Sequence, residues 1–531
     1  MLFPHLDANR RRLLQVAAAS AATLWLPRAA WSQAPRWRRD PFALGVASGS
    51  PRHDAVVLWT RLLADELGAA PVTVRWEIAH DEQFTRLAQS GQAQALPELA
   101  HTVHVEAEGL APDRWYFYRF MAGEAVSPTG RTRTFPAPDA PAARLRLAYA
   151  SCQRWEHGYF SAWRHMREEQ LDAVVFLGDY IYEYPNAANA VRVPPGGWVV
   201  TLDDYRRRYA LHRGEPELQA MHAACPWLVT WDDHEVQNDY AGQVEGNSGP
   251  PLAGSFAARR AAAYQAFYEH MPLRAATLTR ALAGLGEGAE MRIYGQVPFG
   301  RLARIHLLDD RQYRDPQACT PGGRFGSGTL DPAGCAIWND PRRTLLGAAQ
   351  EQWLDQSLAA SAAKEANEAR WTVLAQQTLF GRLDSRPGPG TALWNDGWDG
   401  YGPARDRLLA SVQRHRPANL VLLGGDVHQN WVGHVKADYA DVASPAVGVE
   451  FCGTSITSRS SGNAKLPERL AENPHFVYAD AERKGYGVVE FTPERLTTTL
   501  RVVDDVTRRD TKIETLARFV VEAGRPVIER G

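Results

Sequence analysis

Four short apolar runs in this sequence each end in side chains that bind metal ions well. The candidates are Cys152 after residues 145–150, Asp179 and Tyr182 after 171–177, Asp232, Asp233, His234 and Glu235 after 227–231, and Asp426 and His428 after 420–423. Carboxylates are hard ligands that can bridge two cations, whereas thiolate and imidazole groups suit softer transition metals. The residue types therefore predict a metal centre, with Asp179 as its first candidate.

The apolar runs must position these side chains, and they are typical of buried parallel strands. The run before Asp179 is rich in Val and Phe and is too short for a helix. Gly178 lets the chain turn sharply where that run ends. Ligands of open α/β sheets bind outside the carboxyl ends of the strands, so neighbouring strands of one sheet would bring the four groups together. A single Gly-Asp pair after an apolar run would indicate only an ordinary turn.

Residues 144–531 predict an α/β layered domain, because short apolar strands alternate with helical stretches. Helices are predicted at 255–270 and 346–359, and further strands at 301–309 and 371–375. After Tyr486 the chain returns to strand pairs, which predict a second sheet packed on the first.

Residues 41–136 alternate between apolar and polar side chains instead. Strands are predicted at 55–61, 72–79, 101–108 and 115–121, separated by Gly, Pro and Asp turns. This spacing indicates a small all-β sandwich that resembles a fibronectin type III module. Trp59, Trp76 and Trp115 fit its core better than a binding face, and a Pro-rich linker at 136–141 ends it.

The first 34 residues are typical of an export leader. NRRRLLQ at 9–15 precedes an Ala-rich apolar run at 16–26 that is too short to span a bilayer, and together they resemble a twin-arginine signal. That machinery exports folded proteins, which predicts a periplasmic or extracellular location. Cleavage after Ala34 or after Ser32 would leave no stable membrane anchor, and an uncleaved anchor is the alternative.

Composition and cysteine usage fit an exported globular protein. The 531 residues are 45% hydrophobic and 23% charged, and the net charge of −2 gives no sign of nucleic-acid binding. Cys319 and Cys335 flank a Gly-rich loop that a disulfide would close, worth about 3 kcal/mol by loop-closure entropy. Cys225 and Cys452 adjoin apolar runs and are predicted to be buried thiols.

Five motifs occur in order along the chain. They are ASCQ at 150–153, GDYIYEY at 178–184, WDDHEVQND at 231–239, DDRQYRDP at 309–316 and GDVH at 425–428. Together they resemble the PhoD-type alkaline phosphatases, a branch of the calcineurin-like metallophosphoesterases that is also similar to purple acid phosphatases through GDxxY. The resemblance implies a metallophosphoesterase β-sandwich flanked by helices (αββα), preceded by an immunoglobulin- or fibronectin-like sandwich.

The resemblance also implies an iron and calcium cofactor, with other divalent metals as alternatives. Asp179 would bridge two metal positions. Tyr182 would bind Fe³⁺ as a phenolate, and Cys152, where the wider superfamily has Asp, would bind the same iron as a thiolate. His428 would complete the iron ligands or contact the second position.

The second metal position would be rich in oxygen ligands. Asp426 replaces a His common in the superfamily, and Asp233 replaces an Asn, so the donors suit Ca²⁺ better than zinc or manganese. Asn238 is a further candidate ligand and Asp232 a weaker one.

The predicted catalytic residues are Asp179, His234 and Arg311. His234 would donate to the phosphate or the leaving-group oxygen, or would only orient a neighbour. Arg311 and Arg314 would clamp a phosphate or pair with an Asp such as Asp309 or Asp310. Three tryptophans would either wall the pocket or pack in the core: Trp394, Trp398 and Trp431.

The reaction implied by the resemblance is hydrolysis of small phosphate esters by a secreted alkaline phosphatase, through two-metal activation of a bound hydroxide. A phosphodiesterase or phospholipase D-like hydrolase of the same fold is the alternative. A non-catalytic cell-envelope binding protein is a further alternative, although such a protein should have lost metal ligands that are all present here.

Overall fold

The computed structural model of this chain describes residues 36–246, 249, 254–278, 290–320, 325–362 and 369–531. The predicted leader at 1–34 lies outside the described residues. The chain forms two compact units, the first within Met1–Phe135, Val200–Leu228 and Ala257–Ile293, the second within Pro136–Val199, Val229–Phe256 and Tyr294–Gly531. In the described part of the chain, no helix has both the length and the apolar character needed to cross a membrane.

In the described part of the first unit, eight strands pair antiparallel with one another around a shared core. They are β1 (Val46–Gly49), β2 (Ala55–Arg61), β3 (Val72–Ala79), β4 (Leu87–Ala95), β5 (Thr102–Glu108), β6 (Trp115–Ala122), β7 (Ala125–Val126) and β8 (Gly130–Arg133). One sheet includes β1-β2-β5 and the other is β4-β3-β6-β7, with β8 paired to β6. Leu58 of β2 and Val74 of β3 lie in one buried cluster with Tyr118 of β6, so the two sheets share a core. The four strands predicted for this region are confirmed.

The three tryptophans of this region have different surroundings. Trp59 is fully buried, as predicted, and its indole N–H donates to the carbonyl oxygen of Glu269 at 3.0 Å. Trp76 is partly buried and packs against the core. Trp115 is partly buried, and the guanidinium of Arg131 lies 3.6 Å from its ring centre.

The first unit also includes helices Leu202–Arg213, Pro216–Ala224 and most of Phe256–His270. The first helix begins at a capping box: Asp204 N donates to Thr201 Oγ1 at 3.2 Å and Thr201 N donates to Asp204 Oδ2 at 2.9 Å. The predicted helix at 255–270 is confirmed.

In its described residues, the second unit contains two large sheets and one two-stranded sheet. Its strands are β9 (Leu145–Ala150), β10 (Ala173–Phe176), β11 (Trp227–Val229), which ends in this unit, β12 (Gly295–Phe299), β13 (Ala303–Leu307), β14 (Thr329–Leu330), β15 (Trp371–Ala375), β16 (Leu393–Trp394), β17 (Leu420–Gly424), β18 (Asn430–Lys436), β19 (Ala446–Cys452), β20 (Phe476–Asp480), β21 (Lys484–Phe491), β22 (Arg495–Val503), β23 (Ile513–Glu522) and β24 (Glu529–Arg530). One sheet has the order β24-β23-β22-β21-β9-β10, and the other has the order β12-β13-β15-β17-β19-β18-β20. β14 pairs with β16. The mixed α/β, sheet-rich architecture is confirmed.

The two sheets of this unit pack against each other. Trp371 of β15 meets Phe491 of β21 with ring centres 5.7 Å apart, and Phe451 of β19 meets Phe519 of β23 at 6.4 Å. The prediction that the strand pairs after Tyr486 form a second sheet is wrong, because they extend the sheet of β9 and β10.

Helices Ala348–Ala362 and Gly402–His415 cover the sheet that contains β15 and β17. Their buried Leu354, Leu358, Leu408 and Leu409 form one cluster with Leu374 and Leu422 of the strands. Since β15 and β17 are covered on both faces, they are buried along their whole length and apolar without alternation. This explains why they were recognisable as short apolar runs. The remaining helices of this unit are Ser161–Met166 and Leu466–Glu472.

The predicted disulfide between Cys319 and Cys335 is present, and Cys152, Cys225 and Cys452 are buried free thiols. Replacing both bonded cysteines by Ser should lower the free energy of unfolding by about 3 kcal/mol, because the bond restricts the unfolded chain. Denaturant unfolding would measure the loss, and reduced wild type should match the variant. Equal stability of the oxidised and reduced proteins would contradict this prediction.

Candidate metal centre

The predicted ligands lie at strand ends where the backbone turns through an unusual conformation. Cys152, Asp179, Asp426 and His428 all have a left-handed backbone, with φ of 60°, 58°, 63° and 57°. Non-glycine residues rarely adopt this conformation, and it concentrates at functional sites. The turns after three different strands are thus held in similar, unfavourable geometry.

Gly178 is required at the turn before Asp179. Its φ is +100°, and a Cβ atom at this position would lie 2.4 Å from the backbone nitrogen of Asp232. Two ligand-bearing loops therefore approach each other at a distance that only glycine permits.

The four strands before the ligands do not all belong to one sheet, which corrects the expectation from the sequence. β9 and β10 are parallel neighbours, and Thr230, directly after β11, donates to the carbonyl oxygen of Phe176 in β10 at 3.0 Å. β17, which precedes Asp426 and His428, lies in the other sheet. The ligands still converge because the ends of the two sheets meet, as the bridge between Ser151 and Ser455 shows.

Cys152, Asp179 and His428 form the first ligand cluster, with one donor atom from each within 4.8 Å of the others. The Tyr182 hydroxyl donates to Asp179 Oδ2 at 2.8 Å and lies 3.3 Å from His428 Nε2. His428 Nδ1 lies 2.7 Å from the carbonyl oxygen of Arg459, which can only accept a hydrogen bond. Nδ1 therefore carries the proton, and the Nε2 lone pair faces the cluster.

Acidic clusters adjoin the first one. Asp179 lies with Asp233 and His234, and Asp233 lies with Asp232 and Asp426, again within 4.8 Å. A further group contains Asp233, Asp239 and Asp396. Asp179 therefore belongs to two clusters, and Asp233 connects the others.

Three carboxylate oxygens of these clusters lack a hydrogen-bond partner among the described residues. They are Asp179 Oδ1, Asp232 Oδ2 and Asp233 Oδ1, and all three are buried. A buried charged oxygen without a partner is costly, so such atoms are found where a cation binds them. The residues present therefore fit a metal centre.

The pKa shifts of the clustered groups also indicate that a cation is needed to stabilise their ionised forms. Burial raises the pKa of the Asp179 carboxyl well above its usual range, and the nearby Asp232 and Asp233 carboxylates raise it further. Burial likewise raises the pKa of the Cys152 thiol and of the Tyr182 hydroxyl, and the charge of Asp179 adds to both shifts. Cations at this position would reverse the repulsion and favour the ionised ligands.

His234 lies between this cluster and a buried carboxylate. Its Nδ1 donates to Glu183 Oε2 at 2.7 Å, and its ring centre is 4.1 Å from that of Tyr182. Burial opposes protonation of the ring, but the carboxylates of Asp179 and Glu183 raise its pKa well above the usual value. The geometry is compatible with both roles predicted for His234.

Arg311 and Arg314 are fully buried and already paired. The Arg311 guanidinium donates to Asp232 and to Asp396, and it lies 3.2 Å from Asp426. Arg314 donates to Asp396 Oδ1 at 2.8 Å and to the carbonyl oxygen of Tyr240. These acceptors differ from the Asp309 and Asp310 carboxylates considered from the sequence.

Glu235 and Glu183 are structural residues of the site; Glu235 was one of the candidates from the sequence, whereas Glu183 was not singled out. Glu235 Oε2 accepts from the backbone N–H groups of Asp179 and Asp232, at 3.0 and 2.7 Å, and Oε1 accepts from Tyr180 at 2.5 Å. Glu183 accepts from the backbone of Asn238 at 2.7 Å in addition to His234. The only sequence feature that pointed to Glu183 was its place inside the GDYIYEY motif. Asp239 ends the WDDHEVQND motif but was not considered as a ligand, and Asp396 lies in none of the motifs.

A cavity with a volume of 530 Å³ opens beside the clusters. Its lining includes six of the predicted site residues, Asp179, Asp233, His234, Asn238, Asp426 and His428, and the three tryptophans Trp394, Trp398 and Trp431. Trp398 and Trp431 are buried in the core, whereas Trp394 is half exposed. The candidate metal ligands therefore lie beside a cavity that is large enough for a substrate.

The fold and the site together define the class of this protein. A family model described as PhoD-like phosphatase matches residues 147–500, and one described as PhoD-like phosphatase, N-terminal domain, matches residues 28–136. The chain belongs to the PhoD-like phosphatase family, and it is an enzyme that hydrolyses phosphoric esters.

Two relatives cover most of the chain. This chain is 43% identical over 504 residues to the protein named alkaline phosphatase D of Bacillus subtilis (strain 168). The match covers 92% of this chain and 82% of the relative. A solved structure titled "Structure of PhoD" is 41% identical, with a TM-score of 0.85 over 94% of this chain and 93% of the other.

Proposed function

We propose that this chain is an alkaline phosphatase that cleaves phosphate esters at a two-metal centre organised by Asp179. The observation that carries the proposal is the position of Asp179 in two ligand clusters, with one buried carboxylate oxygen that no described residue satisfies. A carboxylate so placed is suited to bridging two cations.

The donor sets favour two different metals. Cys152, Tyr182 and His428 offer thiolate, phenolate and imidazole, which suit Fe³⁺, and Asp179 joins them. Asp233, Asp426 and Asn238 offer only oxygen ligands, which suit Ca²⁺. When bound, the metals would supply Lewis-acid activation of the phosphoryl group and of the attacking water.

The other residues of the chain hold and move protons or position the ligands. His234 lines the cavity, and Glu183 fixes its ring so that Nδ1 carries a proton. We propose that Nε2 of His234, when protonated, donates its proton toward the leaving-group oxygen while the Nδ1 proton stays on the hydrogen bond to Glu183. Arg311 acts as a positioning residue, because it contacts three carboxylates; a direct clamp on phosphate would require it to release one of them.

The proposal includes the domain organisation and export route predicted from the sequence. Residues 1–34 would be a twin-arginine signal, 41–136 an immunoglobulin- or fibronectin-like sandwich, and 144–531 a metallophosphoesterase αββα sandwich. The twin-arginine machinery would deliver the folded, metal-loaded enzyme to the periplasm or the cell exterior. The leader sequence and the paired sheets around the ligand cluster support this arrangement.

The test is the metal content and visible spectrum of protein exported and purified without chelators. Wild type should contain iron and calcium and show a broad band from tyrosinate bound to Fe³⁺. Tyr182→Phe should lose the band and most of the iron, because its hydroxyl is the phenol beside Asp179 and His428.

Tyr184→Phe is the matched control, since Tyr184 lies two residues further along the same loop and its ring, like that of Tyr182, contacts the Arg154 guanidinium. It should keep the band. A colourless, iron-free wild type would contradict the assignment of Cys152 and Tyr182 to iron.

A phosphodiesterase or phospholipase D-like activity remains the second candidate function. The cavity of 530 Å³ favours it, because ligand pockets of about 300–1,000 Å³ accommodate groups far larger than one phosphate. Comparing kcat/KM for a monoester and a diester with the same leaving group would decide between the two activities.

A further inference from the structure

The cavity beside the metal centre is lined by acids with one strong base at its edge. Six of its lining residues are aspartates: Asp179, Asp233, Asp239, Asp396, Asp399 and Asp426. Among the described lining residues, Arg469 is the only Arg or Lys. An anionic substrate that reaches past the metals therefore meets a single fixed positive charge.

The Arg469 guanidinium has no partner among the residues that the structure describes. The side chain makes no hydrogen bond or ion pair with any described residue, and its Nε is buried without an acceptor. Arg311 and Arg314, in contrast, are both paired with the carboxylate of Asp396. A desolvated guanidinium donor without an acceptor is unfavourable, and an anionic ligand group would satisfy it.

The segment that carries Arg469 is firmly attached. Its helix, Leu466–Glu472, buries Leu466 in a cluster with Leu379 and Trp431, and Leu470 packs on the same cluster. The helix end is fixed as well, because Asn473 donates to the carbonyl oxygen of Arg469 at 2.7 Å. Arg469 is thus presented from a packed element and not from a loose loop.

We propose that Arg469 binds a second anionic group, carried by the leaving group of the substrate. The preferred class is then phosphate esters whose alcohol portion bears its own phosphate or carboxylate. This inference rests on the proposed function, since the reacting phosphoryl group is placed at the Asp179 centre. Arg469 would fix both the orientation and the choice of ester, because the nearby Arg311 and Arg314 are already paired with carboxylates.

Two esters that differ only in the second anion test the proposal: butyl phosphate and butanediol bisphosphate. In Arg469→Gln, kcat/KM for the bisphosphate should fall about tenfold more than kcat/KM for butyl phosphate, chiefly through KM, because a charge-assisted hydrogen bond is lost. Arg469→Lys should restore part of the difference, since it keeps the charge without the planar fork.

Lys465→Gln is the matched control. Lys465 is the N-cap residue of the same helix, is exposed and does not line the cavity, and its replacement removes the same single positive charge. It should leave the ratio of the two kcat/KM values unchanged. A ratio altered as much as in Arg469→Gln would assign the effect to long-range charge and overturn the proposal.

Equal losses of kcat/KM on both esters in Arg469→Gln, or no loss on either, would also overturn the proposal. Thermal unfolding would verify that the variant is folded. If wild type hydrolysed neither ester, the proposed function itself would be wrong and this inference with it. An active wild type with an unselective variant would remove only the inference.

Discussion

Asp179→Asn is expected to reduce kcat/KM for phosphate esters by about a thousandfold, equivalent to about 4 kcal/mol of lost transition-state stabilisation. The substitution removes the charge of the carboxylate that links the cluster of Cys152 and His428 to the cluster of Asp233 and His234. It also replaces one of two oxygens by an amide nitrogen that cannot ligate a cation, while the size of the side chain is unchanged. Both metal positions should lose affinity together.

The measurement combines steady-state kinetics with metal analysis of the same preparation. Asp441→Asn is the control, because Asp441 is an exposed turn residue whose carboxylate accepts from the backbone of Ala443. It should keep wild-type activity and metal content. Retention of both metals and of more than about a tenth of the activity in Asp179→Asn would contradict a bridging role, since a lost bridge should cost several kcal/mol.

Glu235→Gln is expected to lower the free energy of unfolding by about 2–3 kcal/mol and to weaken metal binding. The carboxylate accepts three backbone N–H groups from two ligand loops and is almost fully buried. An amide has one acceptor oxygen, so its NH₂ group must face at least one of those N–H groups. A buried donor is then left without an acceptor, and the loops of Asp179 and Asp232 are no longer held at a fixed separation.

Denaturant unfolding and a metal titration of the same variant would measure the two effects. Glu494→Gln is a control at an exposed turn of the same unit and should change neither. If Glu235→Gln were as stable as wild type but bound metal poorly, Glu235 would influence the ligands electrostatically and not by fixing their backbone.

Local sequence patterns were sufficient to place the elements that carry the ligands. β15 and β17 are covered on both faces, so they appear as uninterrupted apolar runs of the right length for strands. Cys152, Asp179 and His428 lie within a few residues of the ends of such runs. A tight turn at the end of a strand restricts the directions in which the next side chains can extend. The disulfide was predictable for a similar reason, because both cysteines flank one Gly-rich loop.

Motif resemblance supplied what spacing could not, namely the metals and the reaction. The division into domains 41–136 and 144–531 and the assignment of individual ligands remain predictions. The structure places the first unit in three chain segments, and the two later ones, 200–228 and 257–293, carried no local sign that they pack with the N-terminal strands. Association of distant segments depends on complementary packing surfaces, which hydrophobic periodicity does not specify.

The sequence by itself was enough to predict the candidate metal ligands and the strands that precede them. Only the tertiary structure decided how they combine: that β17 joins the site from a different sheet, that Arg311 pairs with three aspartates far apart in the chain, and that Arg469 pairs with none of the described residues. The apolar pattern that identifies a buried strand lies within the strand itself, so it can be recognised locally in the sequence. Charge pairing depends on distances between side chains from separate segments, and those distances exist only after the sheets have packed.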